Sequence, residues 1–135
     1  MAQADRLTMT QAVYTRSTAA EVNAGKTLVA AVPGMKFRMV DFTMIAVGGA
    51  AATATAVNLL GTRSSASVSL AIVAVAGLTQ SAVVKPDNAQ VTVLADGASF
   101  TTLDANTAIT ISSTTNNLAT ATHIDTIIVY ACDAA

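Results

Sequence analysis

Two residues near the C-terminal end of this 135-residue sequence, His123 and Asp125, are the side chains best suited to catalysis. Two positions apart on an extended strand, they would share one face, so a hydrogen bond between them is possible. A hydrolase of the Ser-His-Asp kind also needs a positioned nucleophile and an oxyanion hole, and no G-x-S-x-G motif occurs. We therefore predict no catalytic residue and no enzymatic activity, and we interpret His123 as a surface or interface histidine.

Signals for a metal or cofactor site are equally weak. The sequence has one histidine and one cysteine, Cys132, which together cannot form a structural zinc site or an internal disulfide. Asp87 and Asn88, or Asp104 and Asn106, could offer oxygen atoms to Ca²⁺, but neither pair has the spacing of an EF-hand loop. Such residues commonly stabilise turns through hydrogen bonds to the turn backbone, and this is the role we expect. We predict no metal and no cofactor.

The charge pattern argues against nucleic acid and membranes as partners. Seven basic residues are scattered among eight acidic ones, the net charge is −1, and no basic stripe could neutralise a row of phosphates. Gly48-Gly49 lacks the context of a phosphate-binding loop. The longest apolar stretch, residues 70–78, is far shorter than the roughly 18 residues that cross a membrane. The first residues have no signal-peptide pattern, so we expect a soluble protein made in the cytoplasm.

The amino-acid composition bears on how the surface is covered. Charged residues make up only 11% of the chain, against about 25% in a typical soluble domain. Two interpretations are open: either hydroxyl and amide groups solvate a weakly charged surface, or partners cover much of that surface. We favour the second, because few ionised side chains remain to keep copies of the protein apart.

The elements that must position these side chains are predicted to be strands. Strand patterns closed by turn residues cover 27–32, 36–47, 53–60, 90–94, 107–112 and 119–131. Residues 67–76 fit either a buried strand or a short helix, residues 79–85 fit a further short strand, and Gly61 is predicted to end the strand over 53–60. About eight strands predict an all-β fold, a jelly-roll-like β-sandwich over 27–135. Residues 1–26 are predicted to form an extended N-terminal arm, with one edge strand and room for a short helix over 18–23.

Large apolar side chains on both faces distinguish the stretch over 36–47. Strict alternation would place Phe37 and Met39 on the face of Asp41, and Phe42 and Met44 on the opposite face. A strand with apolar groups on both faces is typical of the middle of a sheet. We therefore predict a central strand with a β-bulge near Asp41.

Three stretches and their order resemble a known family. The run over 24–38 (AGKTLVAAVPGMKFR) leads into a long strand that ends in small residues. The stretches 96–103 (DGASFTTL) and 106–111 (NTAITI) follow, and a strand ending in Val129-Tyr130 closes the pattern. Over roughly residues 24–131, this arrangement resembles the small β-sandwich decoration, or cement, proteins of tailed bacteriophages.

The resemblance implies a function and a set of partners. It implies a jelly-roll-like homotrimer that binds the major capsid protein on the outside of the virion head, at local threefold positions, and stabilises the shell. Within that role we place the capsid contact on the N-terminal arm, at Arg6, Tyr14 and Arg16. The alternative is another structural module of the virion, such as a head fibre, a tail or neck component, or a carbohydrate-binding head.

Overall fold

Two antiparallel β-sheets enclose one core in the computed structural model, which describes residues 9–134. This confirms the predicted all-β sandwich. In chain order the elements are β1 (Met9–Thr18), α1 (Ala19–Ala24), β2 (Lys26–Val29), β3 (Met35–Val47), β4 (Ala51–Ala52), β5 (Ala56–Arg63), β6 (Ala66–Ala74), β7 (Val83–Val84), β8 (Val91–Val93), β9 (Ile109–Thr114), β10 (Ala119–Thr120) and β11 (His123–Ala134). Within this range there are eleven strands, eight of them of three residues or more; these eight include β1 of the predicted arm and leave out the predicted strand over 79–85, of which only β7 is a strand.

The strands pair in a nested order. The four-stranded sheet has the order β1-β11-β3-β7, the five-stranded sheet has the order β2-β9-β5-β6-β8, and β4 and β10 form a small ribbon. The first strand pairs with the last, β2 with β9, β3 with β7, and β5 with β6. The chain is therefore arranged like one long hairpin whose paired arms lie alternately in the two sheets.

Aliphatic side chains, methionine and phenylalanine fill the space between the sheets. Phe42 and Met44 on β3, Leu59 on β5, Ile111 on β9 and Ile128 on β11 are all fully or almost fully buried. They occupy alternate positions of their strands, as side chains that point to one face of a sheet must. Truncation of any one of them to alanine is expected to cost about 2–5 kcal/mol of folding free energy.

The predicted bulge in β3 is confirmed at Val40. The register between β3 and β11 shifts by one residue there, and Val40 is the extra residue. Met39 is buried before the bulge and Phe42 after it, so the buried positions change parity along the strand. Asp41 Oδ1 accepts a hydrogen bond from Phe42 N at 2.8 Å. Because of the bulge, the odd-numbered Phe37 and Met39 and the even-numbered Phe42 and Met44 all point into the same core.

The prediction that Gly61 ends a strand is wrong. β5 continues through Gly61 to Arg63, and a Cβ on Gly61 would lie 2.7 Å from Leu103 Cδ1. Glycine occupies this position because Leu103 packs directly against the backbone, rather than because the chain turns there. The turn follows at Ser64-Ser65, which join β5 to β6.

The other segments left open by the sequence are now defined. Residues 66–74 form strand β6, followed by a 3-10 turn over Val75–Gly77, so the region over 67–76 is not an α-helix. The last predicted strand is divided into β10 and β11. From residue 9 onward, the predicted N-terminal arm contains β1 and α1. A capping box between Thr18 and Glu21 starts α1, and Val22 anchors the helix in the core.

Asp104 stabilises the hairpin between β5 and β6. Ser64 and Ser65 both have positive φ, 54° and 63°, as in a type I′ turn, although serine rarely adopts this conformation. The Asp104 carboxylate accepts hydrogen bonds from the backbone N–H groups of Ser64 and Ser65, at 3.0 and 2.8 Å. The Ser65 bond, followed by the Ser64 bond, lowers the pKa of Asp104. Asp104 thus stabilises a turn, but the turn is the hairpin at Ser64-Ser65, 39–40 positions away, and not its own loop as the sequence predicts.

Candidate interaction surface

The outward side of the four-stranded sheet carries two rows of side chains that run across the strands. The rows are Tyr14–Ile127–Thr43 and Arg16–Asp125–Ile45–Val83. Their neighbours along β11, Ile124 and Thr126, are buried in the core. Because successive side chains of a strand point to opposite faces, both rows point away from the core.

Four members of these rows form an exposed apolar patch: Tyr14, Ile45, Val83 and Ile127. Tyr14 and Val83 are each 58% exposed and Ile127 is 37% exposed, while Ile45 between them is half-buried. Directly opposed side chains of an antiparallel pair lie about 4.5–5.5 Å apart, so Tyr14 and Ile127 form a continuous surface. Contiguous exposed apolar groups on a protein surface commonly mark an interaction site.

An ion pair joins β1 to β11 beside the apolar patch. Arg16 Nε and Nη2 donate to the two carboxylate oxygens of Asp125, at 2.8 and 2.9 Å. The Asp125 side chain is 12% exposed and the Arg16 side chain 50% exposed, so the guanidinium covers the carboxylate. The Arg16 hydrogen bond lowers the pKa of Asp125, and the same bond raises the pKa of Arg16. The charges of this pair therefore neutralise each other at the edge of the patch.

A second ion pair lies on the same side of the sheet. Lys85 Nζ is 3.6 Å from Asp41 Oδ2 and donates to Thr43 Oγ1 at 2.9 Å. Both pairs combine a cation from one strand or loop with a carboxylate of the neighbouring strand. Paired charges of this kind leave a surface that is almost neutral, which lowers the cost of covering it with another protein.

The outward side of the five-stranded sheet has a different chemistry. Its outward positions are Thr27 on β2, Thr110, Ser112 and Thr114 on β9, Asn58, Leu60 and Thr62 on β5, Ser67, Ser69 and Ile72 on β6, and Thr92 on β8. We call this surface the hydroxyl face. None of these residues is charged, and eight are serine or threonine. Asn58 Nδ2 donates to Thr114 Oγ1 at 2.6 Å, so the polar groups also bind one another.

The residues with catalytic potential are not assembled into a site. His123 Nδ1 lies 3.1 Å from Thr122 Oγ1, whereas Asp125 binds Arg16. Among residues 9–134, no three His, Cys, Asp or Glu side chains are grouped so as to hold a metal ion. Cys132 is a free thiol, half-buried against the core. No helix in the described part of the chain is long and apolar enough to cross a membrane.

Two of the three residues assigned to capsid contact lie together. Tyr14 and Arg16 are two positions apart on β1, both exposed and both on the outward side of the four-stranded sheet. Arg6 lies outside the described residues. Ile127 and Val83, which complete the apolar patch, were not predicted as contact residues. Alternation along β11 would have placed Ile127 outward, but only the strand order brings it beside Tyr14.

Comparison with known protein families gives no match for this chain, and comparison with curated proteins gives none either. The chemistry of the two outward faces and the resemblance in the sequence therefore remain as the indications of function.

Proposed function

We propose that this protein is a viral structural protein, a head decoration or cement protein that binds the outside of a tailed-phage capsid and stabilises the shell. The observation that carries the proposal is the exposed apolar patch with its self-neutralised ion pair on the four-stranded sheet. A flat, nearly neutral surface with a tyrosine and aliphatic side chains suits contact with another folded protein. The sequence resemblance supplies the identity of that partner, the major capsid protein.

The mechanism is mechanical bracing of a lattice. Each bound copy, or homotrimer as the resemblance implies, contacts more than one capsid subunit. Separating two subunits then requires breaking the decoration contacts as well as the contacts between the subunits themselves. An interface of standard size can support strong binding, and many copies on one shell multiply the effect through avidity. This mechanism needs no chemical reaction, and His123 and Asp125, the two side chains best suited to catalysis, bind different partners.

The nested strand pairing supports the jelly-roll part of the proposal. A jelly roll has eight strands in two sheets joined by Greek-key connections, and it recurs in viral capsid proteins. Pairing of the first strand with the last, and so on inward to a central hairpin, is the arrangement that this topology requires. In this scheme β8 is an additional edge strand beside β6.

Binding to shells tests the proposal directly. The purified chain is mixed with undecorated phage heads, and the bound copies per particle are counted after sedimentation. We expect saturation at hundreds of copies per head and a higher temperature of shell disruption. Binding of only a few or a few dozen copies would favour the tail, neck or fibre alternative. A chain that ignores undecorated heads would refute the proposal.

A further inference from the structure

The hydrogen-bonding direction of β1 follows from one bond at its end. Among the described residues, β1 is an edge strand whose one strand partner is β11. Ala19 N donates to Thr122 O at 3.1 Å, directly beyond the Thr18–His123 pair. Pairs in an antiparallel ladder alternate between bonded and non-bonded, and the β1–β11 register has no shift. The odd-numbered residues of β1 therefore bond β11, and the even-numbered ones direct their N–H and C=O groups to the open edge.

Within residues 9–134, only the last part of this open edge is covered by other groups of the chain. Thr18 N donates to Glu21 Oε1 at 2.8 Å, and Lys26 Nζ donates to Arg16 O at 3.4 Å. Besides the N–H of Arg16, the outward backbone groups that remain belong to Thr10, Ala12 and Tyr14, and these three residues are exposed.

The edge at β1 lacks the features that usually prevent strands from pairing between molecules. Natural edge strands are kept short, bulged, or marked with proline or charge. β1 has ten residues, no bulge opposite β11, and neither proline nor a charged residue over positions 9–15. The strands at the other sheet edges, β7, β2 and β8, have two, four and three residues.

We propose that β1 pairs antiparallel with β1 of a second copy of this protein, about a twofold axis at Ala12. This register brings Ala12 opposite its own copy and Thr10 opposite Tyr14, twice. The three pairs would exchange about six N–H···O bonds. Tyrosine opposite threonine is a favourable cross-strand pair, and alanine at the axis leaves room for close approach. A second copy fits this edge because the open groups are symmetric about Ala12 and no like charges meet.

The pairing also has a geometric consequence. Strands that continue a sheet across a twofold axis keep both outward faces on the same side of the sheet. The two apolar patches, each with its Tyr14 and Ile127, would then lie side by side and could bind one partner surface bivalently. The strand pairing itself uses a different surface from the proposed shell contact and does not depend on it. A threefold contact of the proposed homotrimer could coexist with it, since the two use different symmetry axes.

A proline substitution at Ala12 tests the pairing in the full chain, in the absence of shells. Ala12→Pro removes an outward N–H and spares the bonds to β11, and an edge strand tolerates proline at such a position. Ala12→Ser keeps the N–H and is the matched control. In sedimentation equilibrium, we expect self-association in multiples of two for the unchanged protein and Ala12→Ser. We expect at least tenfold weaker pairing for Ala12→Pro, with a melting temperature like that of the serine variant.

Disulfide trapping provides a second readout at the same position. Residues opposite each other in a bonded antiparallel pair have Cα atoms about 5.5 Å apart, within the range of a disulfide. In a Cys132→Ala background, Ala12→Cys should form covalent dimers under mild oxidation, whereas Thr92→Cys on the edge strand β8 should not. Equal crosslinking of both variants, or self-association unchanged by Ala12→Pro, would overturn the proposal. If Ala12→Pro weakens only shell binding, a strand of the shell and not a second copy occupies this edge.

Discussion

The outward faces of the two sheets are both low in net charge, but they are covered by different kinds of side chain. The hydroxyl face has no charged residue and is covered mainly by serine, threonine and one asparagine, which water can solvate directly, with Leu60 and Ile72 as its two large apolar side chains. The four-stranded sheet carries charges, but Arg16 binds Asp125 and Lys85 binds Asp41, and Tyr14 stays exposed between them. The two interpretations of the composition thus need not compete, because each fits one face of the sandwich.

The two faces also differ in whether their side chains need a binding partner. Most side chains of the hydroxyl face are polar groups that water can solvate, and Asn58 Nδ2 donates to Thr114 Oγ1, although Asn58 Oδ1 is buried without a hydrogen-bond partner. The apolar patch leaves area that only another molecule can remove from water, at about 25 cal/mol per Å² of apolar surface. We therefore expect the first face to tolerate substitution and the second to be sensitive to it in binding experiments.

The largest effect is expected from a carboxylate at Met39, because the bulge decides which residues of β3 face the core. Met39→Asp would replace a fully buried apolar side chain with a charge, whereas Val40→Asp would place the same charge at the exposed extra residue of the bulge. Losing a large buried side chain and burying an unpaired charge together cost an amount comparable to the entire stability of a domain, about 5–15 kcal/mol. Circular dichroism should show no cooperative melting for Met39→Asp. Val40→Asp is the control, and equal melting of both variants would refute the role of the bulge.

A smaller effect is expected from Asp125→Asn, which breaks the ion pair of the four-stranded sheet. The variant keeps the size of the side chain but leaves Arg16 without its carboxylate partner. The expected loss is about 1–2 kcal/mol, reduced from the value for a fully buried pair because the guanidinium is half exposed. Urea unfolding at low salt and at 1 M salt measures this loss of folding free energy. The difference in folding free energy between Asp125→Asn and the unchanged protein should be smaller at 1 M salt. A loss that is independent of salt would show that the pair acts through packing alone.

The smallest of these effects is expected from Asp104→Asn in the hairpin of the five-stranded sheet. The folded pKa of Asp104 is lowered, so its contribution is complete above about pH 5, begins to be lost near the ordinary aspartate pKa of about 3.9, and is gone once the pH has fallen through the lowered folded pKa. Melting temperatures measured from pH 7 to pH 2.5 should therefore fall less steeply for Asp104→Asn than for the unchanged protein.

A double substitution in the turn tests whether Asp104 acts by stabilising the turn conformation at Ser64-Ser65. Introducing Ser64→Asn and Ser65→Gly provides the sequence that a type I′ turn prefers, and should restore the stability that Asp104→Asn loses at neutral pH. If the acid dependence of Asp104→Asn equals that of the unchanged protein, the carboxylate does not act through the turn N–H groups.

Much of the fold could be predicted from local patterns. The bulge near Asp41 was predictable because large apolar residues change parity within one strand. Gly61 could not be interpreted correctly, since a glycine that ends a strand and one that lies under Leu103 look the same in a sequence. Residues 67–76 stayed ambiguous because periodicity does not separate a short buried strand from a helix.

The candidate surface could be predicted only in part. Tyr14 and Arg16 were predicted as contact residues, and alternation alone places them on one face of a strand. Their neighbours Asp125, Ile127 and Val83 are 67–113 positions away in the sequence and are adjacent only through the strand order. Asp125 is two positions from His123 but 109 positions from Arg16, so the sequence suggested His123 as its partner.

The affinity of surface variants for undecorated phage heads tests the central claim most directly. Tyr14→Asp and Val83→Asp place a charge at opposite ends of the apolar patch, and Thr92→Asp places the same charge at an exposed strand position on the hydroxyl face. We predict at least tenfold weaker binding for the first two variants and less than a twofold change for Thr92→Asp, with equal melting temperatures for all three. Weaker binding for Thr92→Asp with unchanged binding for Val83→Asp would contradict the assignment of the four-stranded sheet as the contact surface.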